Sequence, residues 1–451
     1  MTKFTRSAIV YYRVFESEIF MLTSLLHYLL KVFAQKIIRK YHPDVVGITG
    51  SVGKTSAKEA IAEVLRSRFS IRANNKNYNN EVGVPLTIIG FEKTPGRSLW
   101  GWFLVFIKAL KLVLIRDAHY PQMLVLEMGA DKPGDIQYLT EIAPCKVGVL
   151  TFISHAHTEY FKTIKKIAQE KRVIISHLQT DGFAVLNYDN SMVMENANVT
   201  KAEIVTYGFK DGADLQATDL NVLMSEDGRR PIGFNYKINY KGNIVPVYLP
   251  EIISPSFIPA TLASLAVATV FGINLVDAAE ALRRLKPIPG HMRAIPGIKN
   301  TLLIDDTYNS SPAAVKAALT TLAGIKIYEG SKRIAALADM LELGPETEIS
   351  HREIGHQVVE AGIDYLITVG PASRITAEAA KEAGMDPDRV VSFSDSNEAG
   401  KFLQEIMTKG DAVLIKGSQS MRMEKVVKEV MAEPLRAADL LVRQEVVWTV
   451  R

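Results

Sequence analysis

One cysteine, Cys145, is all the thiol chemistry this chain possesses. An internal disulfide needs two cysteines and a thiolate metal cluster needs more, so neither a disulfide-stapled scaffold nor a cysteine-built zinc site is open to it. The reading that follows is a protein of reducing cytosol. Charge of one sign is also scarce, because 53 Lys and Arg against 49 Asp and Glu leave a net charge of only +4. So mild an imbalance gives no reason to expect a nucleic-acid partner. The apolar run Ile19–Leu30 (IFMLTSLLHYLL) is shorter than the roughly 20 residues that a spanning helix needs, and no small-residue cleavage site follows it. Neither a membrane span nor a secretory signal is expected there. Low-complexity tracts and internal repeats are missing as well.

What is there is an alternation of short apolar strands and amphipathic helices. At about 150 residues per domain, 451 residues suggest three units, or two large ones with an appendage. Residues 1–43 read as a helical amino-terminal segment made basic by Lys31, Lys36, Arg39 and Lys40. It is either a helix laid against its own protein or an interfacial membrane helix. Residues 44–288 read as a domain with a mostly parallel sheet. Its expected strands are Val45–Thr49, Met123–Met128, Lys146–Ile153 and Ala184–Asn187, and its expected helices are Lys54–Arg68, Thr163–Leu178 and Pro259–Phe271. Within it, residues 96–118 form an apolar helical insertion and residues 203–250 an antiparallel hairpin region with Asp-Gly and Lys-Gly turns. The insertion and the amino-terminal segment should pack on each other or against a partner, because neither can leave a broad apolar stripe in water. After Pro287, Pro289 and Gly290 the alternation restarts over 289–451 as a smaller, doubly wound, Rossmann-like domain. Its strands are expected at Leu302–Ile304, Ile334–Leu337, Tyr365–Val369, Val390–Phe393 and Ala412–Ile415.

The strongest chemical signal is Gly47-Ile48-Thr49-Gly50-Ser51-Val52-Gly53-Lys54-Thr55, set between a strand and a helix. Glycines let backbone amides turn inward around phosphate oxygens, and the helix amino terminus adds a favourable dipole. Lys54 is positioned for the terminal phosphates and the Thr55 hydroxyl for Mg²⁺, with Ser56 following in the same turn. ATP is therefore the expected cofactor, bound by Gly50, Ser51, Gly53, Lys54, Thr55 and Ser56. Glu127 ends a buried strand, where open α/β sheets bind ligands, and His155, His157 and Glu159 follow the next strand. Glu127 and His157 beside a phosphate loop suit Mg²⁺, a hard cation that takes few protein ligands, better than zinc. The run Asn74–Pro85 is rich in asparagine, which makes turns, and could also line the cleft through Asn79 and Asn80. Lys171 alone reads as an ordinary solvent-facing helix lysine.

Taken together, GITGSVGKTSAKE, NYNNEVGVPLT, LEMGADKPGDIQYL, AHTEYF followed by Lys171, LIDDTYNSSPAAVKAAL, ALADMLELG with His351, and LIKGSQSMRMEKVV resemble the Mur ligase family. The resemblance runs from about residue 44 to 430, and the amino-terminal domain that holds the UDP-sugar in that family has no counterpart in residues 1–43. It implies an ATP-dependent amide ligase working through an acyl phosphate. The implied substrates are a UDP-muramoyl peptide and the dipeptide D-alanyl-D-alanine; a cytoplasmic monomer is expected, with peripheral membrane contact through the amino-terminal segment left open. By the same resemblance Lys54 steadies the β- and γ-phosphates, and Thr55 with Glu127 holds one Mg²⁺. His157 holds a second, and Lys171 is a carbamylated lysine supporting it. Asp306, Tyr308 and Asn309 match the segment of the carboxyl-terminal domain that meets the nucleotide, with Arg293 near the domain junction. Asp339, Lys416 and Ser418 match motifs lining the cleft from that side. Two other readings stay open: a relative joining a different acid and amine, as folylpolyglutamate synthases do, and a P-loop ATPase or binding module without ligase activity.

Overall fold

The computed structural model describes residues 6–75, 78–96, 98–154, 161–226, 231–445 and 448, with side chains from Thr23 onward. Two sheets organise them. The first has nine strands: β1 (Asp44–Thr49), β2 (Ile71–Ala73), β3 (Met123–Glu127), β4 (Val147–Leu150), β5 (Phe183–Asn187), β6 (Glu203–Gly208), β7 (Leu215–Met224), β8 (Pro231–Tyr240) and β9 (Asn243–Pro250), in the spatial order β2-β3-β1-β4-β5-β6-β7-β8-β9. β3 and β4 are buried at every position and β1 at all but Asp44, so their apolar runs are unbroken where a half-exposed strand would alternate. β1 pairs in parallel with β3 on one side and β4 on the other, which brings the carboxyl ends of all three to one edge.

Helices cover both faces. One carries α2 (Lys54–Arg66) and α7 (Ile258–Val270). The opposite face carries α1 (Arg6–Tyr41), α3 (Gly83–Ile89), α4 (Leu99–Leu114), α5 (Asp135–Ile142) and α6 (Ile164–Lys171). The carboxyl-terminal half of α1 is therefore laid against its own protein, with Leu30, Ala34 and Ile37 fully buried beside Val45, Leu124 and Leu126. α1 and α4 pack together as their apolar content demands. Phe33 meets Phe106 at 5.9 Å between ring centroids, the Lys40 ammonium donates to the carbonyls of Leu112 and Val113, and the Tyr41 hydroxyl donates to the carbonyl of Ile115. Among the described residues no helix is long and apolar enough to cross a membrane.

Two local expectations need correction. The helix expected over Thr163–Leu178 is two pieces, α6 and a short turn at Val173–Ser176, joined at Arg172. The β-branched run Val173-Ile174-Ile175 weakens helix continuation there. The region after residue 203 is not wholly antiparallel either. β6 lies parallel to β5 and β7 starts parallel to β6, and only β7, β8 and β9 form the antiparallel meander. Its β8–β9 turn is the expected Lys-Gly one. Lys241 and Gly242 both sit at positive φ, as a two-residue turn matching the strand twist requires.

The second sheet has six strands: β10 (Arg293–Pro296), β11 (Leu302–Asp306), β12 (Arg333–Ala338), β13 (Tyr365–Val369), β14 (Val390–Phe393) and β15 (Ala412–Lys416), in the order β10-β11-β15-β12-β13-β14. All pairs are parallel except β10–β11, and apolar cores lie on both faces.

Candidate active site

The phosphate loop leaves β1 at Thr49 and enters α2 at Lys54. Gly53 caps the helix at φ 84°, a left-handed conformation that glycine adopts without the Cβ clash. At Gly50 a Cβ would collide with the Thr151 hydroxyl, which itself donates to the Val52 carbonyl at 2.7 Å. The backbone amide of Ser51 donates to the Phe152 carbonyl at 2.6 Å, and the Ser51 hydroxyl donates to the Ser154 carbonyl at 3.1 Å. The end of β4 thus braces the loop from beneath. The Lys54 ammonium lies back across it, donating to the Gly50 carbonyl at 2.9 Å. Burial lowers the Lys54 pKa, and the carboxylates of Glu127 and Asp131 partly oppose that shift.

Glu127 is buried at the end of β3, and both of its carboxylate oxygens are engaged. Oε2 accepts from the Thr55 hydroxyl at 2.9 Å, and Oε1 accepts from the Asn79 amide at 3.0 Å. Asn74 fixes the backbone at this point. Its Oδ1 accepts from the Glu127 amide at 2.9 Å, while its Nδ2 donates to the carbonyls of Tyr78 and Glu127. Asn80 does different work, accepting from the amides of Gly83 and Val82 where the chain turns into α3. Ser56 is buried in the first turn of α2.

Lys171 is not the solvent-facing lysine that its helix alone suggested. It is 3% exposed, and burial together with the nearby Lys54 charge pulls its pKa down to about 7. Its neighbour Glu170 ties α6 to the start of α5 by accepting from the amides of Gly134 and Ile136, each at 2.8 Å. His157, with His155 and Glu159, lies outside the described residues.

From the second sheet, the end of β11 faces this cluster. Asp306 accepts from the Lys416 ammonium at 2.6 Å and from the Met292 amide at 3.2 Å, and Lys416 also donates to the Asn309 carbonyl at 2.9 Å. Asp305 accepts from the Gly290 amide and the Thr307 hydroxyl, and burial pushes its pKa up to about 6. Tyr308 stacks on His291 with ring centroids 4.5 Å apart. Burial, helped by the Glu127 charge, raises the Tyr308 phenol to about 12, so this segment lies within electrostatic reach of Glu127. Asp339 and Ser418 serve the neighbouring strand ends. Asp339 accepts from the Ser373 amide at 2.7 Å and the Ser418 hydroxyl accepts from the Leu341 amide at 2.9 Å. His351 supports the same corner as a neutral imidazole, accepting from the Met340 amide at Nε2 and donating from Nδ1 to the Thr347 carbonyl. Arg293 is elsewhere. It donates to the carbonyls of Asp439 and Leu440 and borders a cavity of about 320 Å³ that contains no phosphate-loop residue.

Two residues of this assembly were not singled out in the sequence reading. Asn74 sits in the asparagine cluster and was at least flagged by composition. Arg443 carried no signal, although it donates to the carbonyls of Thr307 at 3.0 Å and Tyr308 at 2.5 Å while paired with buried Glu424 at 3.1 Å.

The Thr55 hydroxyl and the Glu127 carboxylate fit a magnesium ion chemically. Both are hard oxygen donors, the kind that Mg²⁺ takes, and the hydrogen bond of 2.9 Å between them keeps the two oxygens side by side. The sequence profile of the Mur ligase middle domain matches residues 107–243, and that of the Mur ligase glutamate ligase domain matches residues 291–419. The UDP-N-acetylmuramoyl-tripeptide–D-alanyl-D-alanine ligase of Bacillus subtilis is 28% identical over 90% of this chain and 80% of its own length. The Escherichia coli enzyme of the same name is also 28% identical, over 85% of this chain and 76% of its own. Among solved structures, MurF from Thermotoga maritima in complex with ADP superposes with a TM-score of 0.72 at 26% identity, covering 89% of this chain and 83% of that one. A folylpolyglutamate synthase from Mycobacterium tuberculosis shares the fold at a TM-score of 0.61 and 16% identity. Both domain profiles, the curated relatives and the solved structures agree: the chain belongs to the Mur ligase family of ATP-dependent ligases.

Proposed function

We propose that this chain joins D-alanyl-D-alanine to the carboxylate of a UDP-muramoyl peptide, with ATP and Mg²⁺, in the synthesis of peptidoglycan precursors. The observation that carries the proposal is the single cluster made by Lys54, Thr55, Asn79, Glu127 and Lys171, facing Asp306, Tyr308 and Asn309 from the other sheet. In phosphoryl transfer the protein mainly positions groups and neutralises charge. Lys54 needs only to swing from the Gly50 carbonyl to reach a terminal phosphate held on the loop amides. Thr55 and Glu127 would hold the magnesium ion, which would supply positive charge against the phosphates, and His157 would add a ligand for a second. Asn79 keeps the Glu127 carboxylate oriented.

A carboxylate substrate then receives the γ-phosphoryl group, the bond to ADP breaks, and the dipeptide amine displaces phosphate from the acyl phosphate. Lys171, with a pKa of about 7, is available as a neutral amine near neutral pH, the form that a carbamate on this residue requires. The β11 segment held by Lys416 supplies the far wall of the cleft, where Asp306 and Asn309 would meet the nucleotide. We take the enzyme to act as a cytoplasmic monomer whose amino-terminal helix makes at most peripheral contact with a membrane.

ADP release measured against a panel of UDP-muramoyl peptides, with D-alanyl-D-alanine or glutamate as the amine, tests this reading. Turnover that depends on the dipeptide is the expected result. Turnover driven by glutamate would move the chain toward the folylpolyglutamate synthase-like alternative, and ATP hydrolysis indifferent to both would leave an ATPase.

A further inference from the structure

α4 has two apolar faces. Val105, Ala109 and Leu112 are buried in the core that also holds α1 and α3. The other face turns outward, leaving Trp100, Phe103, Leu104, Ile107, Leu110 and Leu114 between 41% and 71% exposed. Their spacing of three and four residues aligns them in one stripe along the helix. A contiguous stripe of this kind marks a contact surface, because isolated exposed apolar residues need no explanation but a continuous row does.

The surrounding charge indicates what that contact is. Leu99–Arg116 contains no acidic residue, and neither does the stretch of α1 from Ile19 to Tyr41 that packs beside it. Lys111 and Arg116 stand exposed at the carboxyl-terminal end of the stripe, and Lys36 and Arg39 stand exposed on α1. A symmetric dimer through this stripe would set the same basic residues against themselves. A negatively charged bilayer satisfies both features at once, since the apolar stripe enters the headgroup–acyl boundary and the lysines and arginines meet anionic headgroups. Trp100 stands near the amino-terminal end of the helix, an aromatic of the kind enriched at membrane interfaces.

We propose that α4 docks the protein on the surface of an anionic bilayer, lying in the plane of the interface. The contact is separate from the chemistry at the phosphate loop and requires no nucleotide.

The test is co-flotation of the full chain with vesicles of phosphatidylcholine, with or without phosphatidylglycerol, at low and high salt. The expected result is binding to the anionic vesicles that weakens with salt, accompanied by a blue shift of tryptophan emission. Phe103→Glu combined with Ile107→Glu should lower the partition coefficient at least about tenfold, because both side chains would have to enter the interface charged. An unchanged urea midpoint for the double variant would show that the loss is not unfolding. Wild-type protein remaining in the buffer with anionic vesicles would overturn the proposal, as would equal binding to both vesicle types. Concentration-dependent self-association in sedimentation, abolished by the double variant, would overturn it in favour of a protein interface.

Discussion

Replacing Lys171 with methionine should stabilise the fold, and more so in acid than in base. The lysine is 3% exposed, and its pKa falls from 10.5 to about 7. Between those two values the unfolded chain carries a proton that the folded chain has released, so stability rises with pH across that window. Below pH 7 both states are protonated, and the full cost of a buried ammonium falls on the folded state. Each pH unit is worth about 1.36 kcal/mol, so moving from pH 7 to pH 9 relieves on the order of 3 kcal/mol. Methionine fills a similar length without the charge, so the stabilisation by Lys171→Met should be larger at pH 6 than at pH 9 by about 2 to 3 kcal/mol. Urea unfolding of both proteins in CO₂-free buffer at the two pH values measures the difference directly. Equal effects at both pH values, or a larger effect at pH 9, would refute the burial argument. Bicarbonate added at pH 8 should then stabilise wild type and not the variant, because only the neutral lysine can hold a carbamate.

Lys54→Ala should lower ATP turnover by at least about a thousandfold in a variant that still unfolds cooperatively, since Lys54 supplies the loop's only side-chain cation and its one short bond is to its own loop. Steady-state ADP release checks it. Glu127→Ala leaves Thr55 and Asn79 without their acceptor and should raise the Mg²⁺ concentration for half-maximal turnover at least about tenfold, read from a magnesium titration at saturating ATP. Arg443→Gln removes two bonds to the 307–308 backbone and leaves Glu424, 1% exposed, with Arg422 as its cation. A loss of about 3 kcal/mol in urea unfolding, with the KM for ATP rising more than kcat falls, is the expected outcome.

The strands around the phosphate loop were readable in the sequence because they are buried on both faces, and that writes an unbroken apolar run. The loop itself was readable because glycine, lysine and threonine do their work within nine residues. Glu127 was readable from its place at a strand end. Its orientation by Asn79 and Asn74 was only half visible, since an asparagine run looks the same whether it makes turns or holds a carboxylate. Lys171 shows the limit of local pattern, because its helix suggests solvent and only the tertiary packing of α6 buries it, within electrostatic reach of Lys54. Arg443 and Tyr308 meet across 135 residues, and nothing along the chain marks such a pair. The parallel pairing of β6 was hidden for the same reason, because strand direction depends on neighbours and not on the strand's own residues.

Asp305 and Asp306 each tether part of the connection between the two sheets, one holding the amide of Gly290 and the other that of Met292. Residues 290–292 are thereby riveted to β11, and His291 travels with Tyr308 on which it stacks. If the two halves of the molecule swing relative to each other, the pivot lies before Gly290, in the short stretch that follows Leu285. The aromatic pair then moves as one blade carried by the carboxyl-terminal half, closing on the phosphate loop or withdrawing from it without either ring changing its partner.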